Sequence, residues 1–197
     1  MEGDENFHHT IYLVTGFKTD DDVIRGEETL LLGCDPVDDA EKVYIFPGTH
    51  SKHIFVKNKK GYDVRTFMTG EIFRLLSEES ILRNSVTRGV DDESFAKGFM
   101  RGIDDNLLHS AFMVRTRQLL QQANPVGNYQ YLSGLLIGTE LKDLKGRNGP
   151  VYIVCNELIK PAYLAGLKLM GVTSEIYYLN ADEMFIQGHC KIADYYL

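Results

Sequence analysis

Short apolar runs bounded by polar turns alternate along this chain with longer segments of helical spacing. Residues 10–15 (Thr-Ile-Tyr-Leu-Val-Thr) are rich in branched and aromatic side chains and predict a strand. Gly16 to Asp21 reads as a loop. Asp22 then offers an N-cap for a helix over Val23–Leu32 that Gly33 ends, and Asp35-Pro36 marks a turn. Three further strands are predicted at 43–47, 53–57 and 62–68. The last two are joined by Asn58-Lys59-Lys60-Gly61, with glycine at the position needing a positive φ.

The middle of the chain carries apolar residues at helical spacing over Ile72–Leu82, Phe95–Ile103, Leu107–Leu120 and Tyr129–Leu144. After a polar break at 145–150, a strand at Val151–Val154 leads into a helix over Leu158–Met170. Pro161 falls in the first turn of that helix, where its missing N–H costs nothing. A strand at Glu175–Leu179 precedes a last helix from Ala181, with Asn180 as its cap. The order β-α, β-β-β, helices, β-α-β-α predicts an α/β fold, a mixed sheet with helices on its faces.

Composition narrows the function classes. The 197 residues carry a net charge of −7, which excludes the broad basic face of a general nucleic-acid binder but not a local anion pocket. Cys34, Cys155 and Cys190 lack metal or disulfide spacing, so a reducing cytoplasm is expected. No apolar run approaches the roughly 18 residues of a membrane span, and the acidic start Met1–Asn6 is unlike a secretory signal.

Five segments could carry chemistry. Pro47-Gly48-Thr49-His50-Ser51-Lys52 links two strands. Its glycine, hydroxyls and ammonium suit either a phosphate cradle or a polar hairpin tip. It lacks the spacing of a Walker loop, and His50 and His53 have no third metal ligand near them. Arg25-Gly26-Glu27-Glu28 pairs carboxylates beside an arginine, as a general base and its partner or as a solvated helix start. Thr69-Gly70-Glu71 stands where a strand meets a helix, an anion or polyol site or a simple cap. Arg115 and Arg117 point different ways on one helix, so at most one faces a ligand. Gly134 and Gly138, one turn apart, admit either a flat ligand or a neighbouring helix.

Taken in order, 25–29 (RGEET), 46–54 (FPGTHSKHI), 67–82 (FMTGEIFRLLSEESIL), 112–120 (FMVRTRQLL) and 131–141 (YLSGLLIGTEL) resemble the 2-dehydro-3-deoxygalactonokinase family of the actin, hexokinase and Hsp70 superfamily. The resemblance implies transfer of phosphate from ATP, with Mg²⁺, to the 6-hydroxyl of 2-dehydro-3-deoxy-D-galactonate. It implies a ribonuclease-H-like (actin-like ATPase) domain with a mixed five-stranded sheet at 41–197. Residues 1–40 would be the end of a first domain and an interdomain helix. Gly48, Thr49, His50, Ser51 and Lys52 would then bind phosphate, and Glu27 or Glu28 would be the base. Arg25, Thr69, Gly70, Glu71 and Arg115 would bind the sugar acid. Gly134, Gly138, Cys155 and Asn156 would bind the nucleotide.

Three departures stand against full activity. The family's first phosphate loop, Asp-Trp-Gly-Thr, has no counterpart before Ile11, and the chain contains no tryptophan. Cys155 occupies a turn where the family tends to glycine, and His53 a position where it tends to tryptophan. Three readings follow: a sugar-acid kinase in truncated form, an inactive half-kinase serving as a binding module, or a phosphohydrolase of the superfamily. Without its first domain the chain would expose an apolar face, so a homo-oligomer is expected, with no nucleic-acid or membrane partner.

Overall fold

The computed structural model describes residue 11 and residues 13–34 and 40–196. Strands β1 (Phe17–Lys18) and β2 (Val23–Ile24) form a small antiparallel ribbon ahead of helix α1 (Glu27–Gly33). Strands β3 (Lys42–Phe46), β4 (Ser51–Lys57) and β5 (Lys60–Phe67) follow as an antiparallel meander. Helices α2 (Thr69–Arg74), α3 (Asp92–Asp104), α4 (Leu107–Gln121) and α5 (Pro125–Leu141) make up the middle, with a π-helical turn at Leu75–Glu79 extending α2. Strand β6 (Val151–Cys155), helix α6 (Lys160–Leu169), strand β7 (Ile176–Asn180) and helix α7 (Ala181–Tyr196) complete the chain.

The five-stranded sheet runs β5-β4-β3-β6-β7, with β6 parallel to both β3 and β7. Its central strands are buried on both faces, as their near-continuous apolar runs require. Alternation along β3 divides the core. Val43 and Ile45 join Phe95, Phe99, Leu141 and Leu167 from α3, α5 and α6. Tyr44 and Phe46 face the other way, toward α1 and Met184 of α7.

The meander and the helices from 69 onward lie within a few residues of their sequence expectations, and the Asn180 carboxamide caps α7 through Asp182 N–H and Glu183 N–H as expected. The first segment differs. Described residues of 10–15 are not in a strand, and Ile11 and Leu13 are exposed. Residues 23 and 24 are extended, and α1 starts only at Glu27 because Gly26 has a φ of 112°, outside the helical region. Asp22 does not cap a helix; its carboxylate accepts from Thr66 N–H and Oγ1 and ties the ribbon to β5. In the β4–β5 turn the positive φ falls on Asn58 (51°) and Lys59 (59°), not on Gly61, as a two-residue hairpin turn requires. The Asp35-Pro36 turn lies outside the described residues.

Candidate functional site

The turn between β3 and β4 and the start of α2 are packed as one unit. Glu71 N–H donates to the Thr49 carbonyl at 2.9 Å, and the Glu71 carboxylate meets His50 Nε2 at 2.7 Å. Gly70 makes this contact possible, since a Cβ there would lie 2.4 Å from the Gly48 carbonyl oxygen. A Cβ on Gly48 itself would face open space, so the backbone of the tip is accessible to a ligand. Thr69 is the first residue of α2 rather than its cap, and its hydroxyl is used elsewhere.

Strand alternation then separates Ser51 from Lys52. Neighbouring residues on a strand point to opposite faces, so the two side chains cannot clamp one phosphate together. Lys52 points toward α1, where its Nζ lies 2.7 Å from Glu27 Oε1, with both side chains more than four-fifths buried. The second oxygen of that carboxylate, Glu27 Oε2, is buried and has no partner among the described residues. Glu28 is differently engaged, its Oε2 accepting the Gly26 N–H at 2.8 Å and so closing the helix start. Arg25 is exposed and lines a groove between α1 and α7 together with Glu28 and His189, away from Lys52.

Ser51 points the other way, into a buried cluster on Glu140 of α5. Glu140 is 2 % exposed and accepts four hydrogen bonds. Oε1 takes Ser51 Oγ at 2.6 Å and His53 Nε2 at 2.9 Å. Oε2 takes Tyr163 OH at 2.8 Å and Thr69 Oγ1. Burial pushes this carboxyl up, but the bonds from His53, Ser51 and Thr69 and the nearness of His53 hold it below the usual carboxylate range. An ionised carboxylate only accepts, so His53 carries a proton on Nε2, and Nδ1 is buried without a partner among the described residues. Burial and the Glu140 charge raise the Tyr163 phenol well above its ordinary range.

Glu140 is the residue that the motif reading overlooked. A signal for it was present: Leu132, Leu136 and Glu140 share one helical stripe, and an ionisable group on an apolar stripe needs partners.

The residues expected around a nucleotide are placed otherwise. A Cβ on Gly134 would lie 2.1 Å from the Phe95 carbonyl, and one on Gly138 2.3 Å from that of Phe99. Both glycines therefore serve the close contact of α5 with α3, which fills the space a flat ligand would need. Replacing Gly138 by alanine should cost about 1–3 kcal/mol through overpacking, read as a lowered urea midpoint; an unchanged midpoint would refute this packing role. Cys155 is buried in the core, with its thiol pushed up to about 11 mainly by burial, and does not project into the turn. Asn156 caps the turn into α6 by accepting from Leu158 and Ile159 N–H. Arg115 donates to Gln118 on its own helix, while Arg117 stacks on Tyr131 with 4.4 Å between guanidinium carbon and ring centre.

A three-stranded meander continued by two parallel strands, with helices on both faces, defines a ribonuclease-H-like domain of the actin-like ATPase type. The model of the 2-keto-3-deoxy-galactonokinase family matches residues 7–192, and the chain belongs to that family. It is 29% identical over 176 residues to the 2-dehydro-3-deoxygalactonokinase of Escherichia coli (strain K12), covering 87% of this chain and 59% of the relative. It is 34% identical over 147 residues to the probable 2-dehydro-3-deoxygalactonokinase DgoK1 of Rhizobium meliloti (strain 1021), covering 68% of this chain and 46% of that protein. A crystal structure from Sinorhizobium meliloti, provisionally assigned as a 2-dehydro-3-deoxygalactonokinase, superposes with a TM-score of 0.85 at 28% identity, over 91% of this chain and 64% of that one. The chain thus spans less than two thirds of the length of each of these relatives. Among the described residues no helix is long and apolar enough to cross a membrane.

Proposed function

We propose that this chain forms the ATP-binding half of a sugar-acid kinase site acting on the 6-hydroxyl of 2-dehydro-3-deoxy-D-galactonate. The observation that carries this reading is the half-satisfied Glu27 carboxylate beside the accessible hairpin tip. Lys52 holds one oxygen of Glu27, and the other is buried without a donor among the described residues. A substrate hydroxyl would supply that donor. Glu27 would take the hydroxyl proton as the alkoxide forms a bond to the γ-phosphorus, and the bond to the β-phosphate oxygen would break, releasing ADP.

The backbone of Gly48, Thr49 and His50 would receive the phosphates, with Lys52 contributing charge from the opposite side of the strand. Thr69, Gly70 and the His50–Glu71 pair lie beside the tip and would meet the sugar acid. This reading gives Ser51, Gly134, Gly138, Arg25 and Arg115 no direct contact with nucleotide or sugar acid. No group of three acidic, histidine or cysteine side chains that could hold a metal ion occurs among the described residues. Magnesium, supplied with ATP, would be held by nucleotide phosphates and water, as this ion commonly is.

In the same reading, residues 1–40 end a first domain and provide the interdomain helix, while 41–197 form the nucleotide domain. In that division α1 stays docked on the nucleotide domain, since Leu30 and Leu31 share a core with Tyr44, Phe46 and Met184 and Gly33 lies against the backbone of α7. Ile11, Leu13, Val14, Leu32, Tyr195 and Tyr196 line one apolar groove at this end, and a second copy would cover it. Light scattering at micromolar concentration should give a dimer or larger; a monomer would remove this part of the reading. The three unpaired cysteines fit a reducing cytoplasm.

Incubating the chain with ATP, Mg²⁺ and 2-dehydro-3-deoxy-D-galactonate, and following ADP, tests the function directly. Sugar-dependent ADP release supports the kinase. ADP binding without turnover favours a binding module, and ATP hydrolysis without the sugar favours a phosphohydrolase.

A further inference from the structure

Glu140 gathers more of the molecule than any role in its own helix requires. Its four donors come from three other elements: Ser51 and His53 from β4, Thr69 from α2, and Tyr163 from α6. Two of those donors bracket the proposed phosphate cradle. Ser51 directly follows the tip residue His50, and Thr69 directly precedes Gly70, the glycine on which the tip rests. Glu140 is itself too buried to touch a ligand. Its two oxygens divide the work, since Oε1 holds the strand that leaves the tip and Oε2 holds the start of α2 and the helix α6.

We propose that Glu140 is a positioning residue that sets the hairpin tip against the start of α2 and so fixes the shape of the phosphate cradle. The proposal rests on the reading of the tip as a phosphate site. A carboxylate suits this role better than an amide, because its charge strengthens all four bonds at once. All four groups around Glu140 are donors, and a carboxylate has about four lone-pair sites for them. A glutamine of the same shape would turn an NH₂ toward either Ser51 and His53 or Thr69 and Tyr163, so that the hydroxyls facing it must turn to accept, and would remove the charge from all four bonds. One half of the joint would then loosen while the apolar core around it remained intact.

The test compares the wild-type chain with Glu140→Gln by hydrogen exchange and by ADP titration. Exchange in segments 47–52 and 68–71 should speed up roughly tenfold or more, well beyond any change in α3, and ADP affinity should fall in parallel. Equal acceleration in all segments, or none at the tip, would overturn the positioning role. If Glu140→Gln does not fold, Tyr163→Phe removes a single donor and should give the same contrast in smaller measure; a uniform response there overturns the role equally. Failure of the wild type to bind ADP would remove the phosphate reading, while the exchange contrast would still decide whether Glu140 positions the tip. Tight ADP binding by wild type and Glu140→Gln alike would refute the link from Glu140 to the cradle.

Discussion

Glu27→Gln should lower sugar-acid-dependent ADP release by about 10²–10⁴-fold, the usual worth of a positioned general base, and leave ADP affinity close to wild type. The amide oxygen can still accept from Lys52, so the ion-paired half of the carboxylate is replaced by a hydrogen bond and the local shape is kept. What disappears is the capacity of the unpartnered Oε2 to take a proton. Glu28→Gln provides the contrast, because its contact with Gly26 N–H needs only an acceptor, which an amide oxygen supplies. Turnover should then separate two adjacent carboxylates that the sequence leaves equivalent. Loss of activity in the Glu28 variant, with full activity in the Glu27 variant, would reverse the assignment.

That separation shows where sequence reading stops. The strands at 42–46 and 51–57 are legible because most of their residues are buried and correspondingly branched and aromatic, and the edge strand 60–67 because a hairpin turn ties it to its neighbour. The segment 10–15 carries the same composition, yet its described residues pair with no strand, and residue types alone do not reveal whether a partner strand exists. The helix over 23–32 is displaced because one backbone angle at Gly26 outweighs the apolar periodicity around it. The two functions of the dipeptide Ser51-Lys52 follow from strand alternation once the strand is known to begin at Ser51 rather than at His53. The Glu140 cluster joins residues 23 to 89 positions apart in sequence, so only its anomaly on an apolar stripe is local. The glycines at 134 and 138 admitted two explanations, and the closeness of the α3 backbone decides for helix packing.

Glu140→Ala should destabilise the protein by about 3–5 kcal/mol at neutral pH, the range found when one partner of a buried charged network is removed. Three buried donors and the half-buried Thr69 hydroxyl would lose their shared acceptor, and water reaches the buried ones poorly. The loss should also depend on pH in a defined direction. The folded-state carboxyl is held below its ordinary range, so the unfolded chain takes up the proton at a higher pH than the folded one. Stabilisation from Glu140 is therefore complete above the unfolded value of about 4.3 and is lost as pH falls through the lower folded value. Urea melts followed by circular dichroism between neutral and acid pH should show the wild-type midpoint falling on the acid side. The alanine variant should start lower and fall less steeply, so that the two curves approach each other. A constant gap between them would mean that Glu140 contributes packing rather than charge, and the joint between the hairpin tip and α2 would then rest on shape alone.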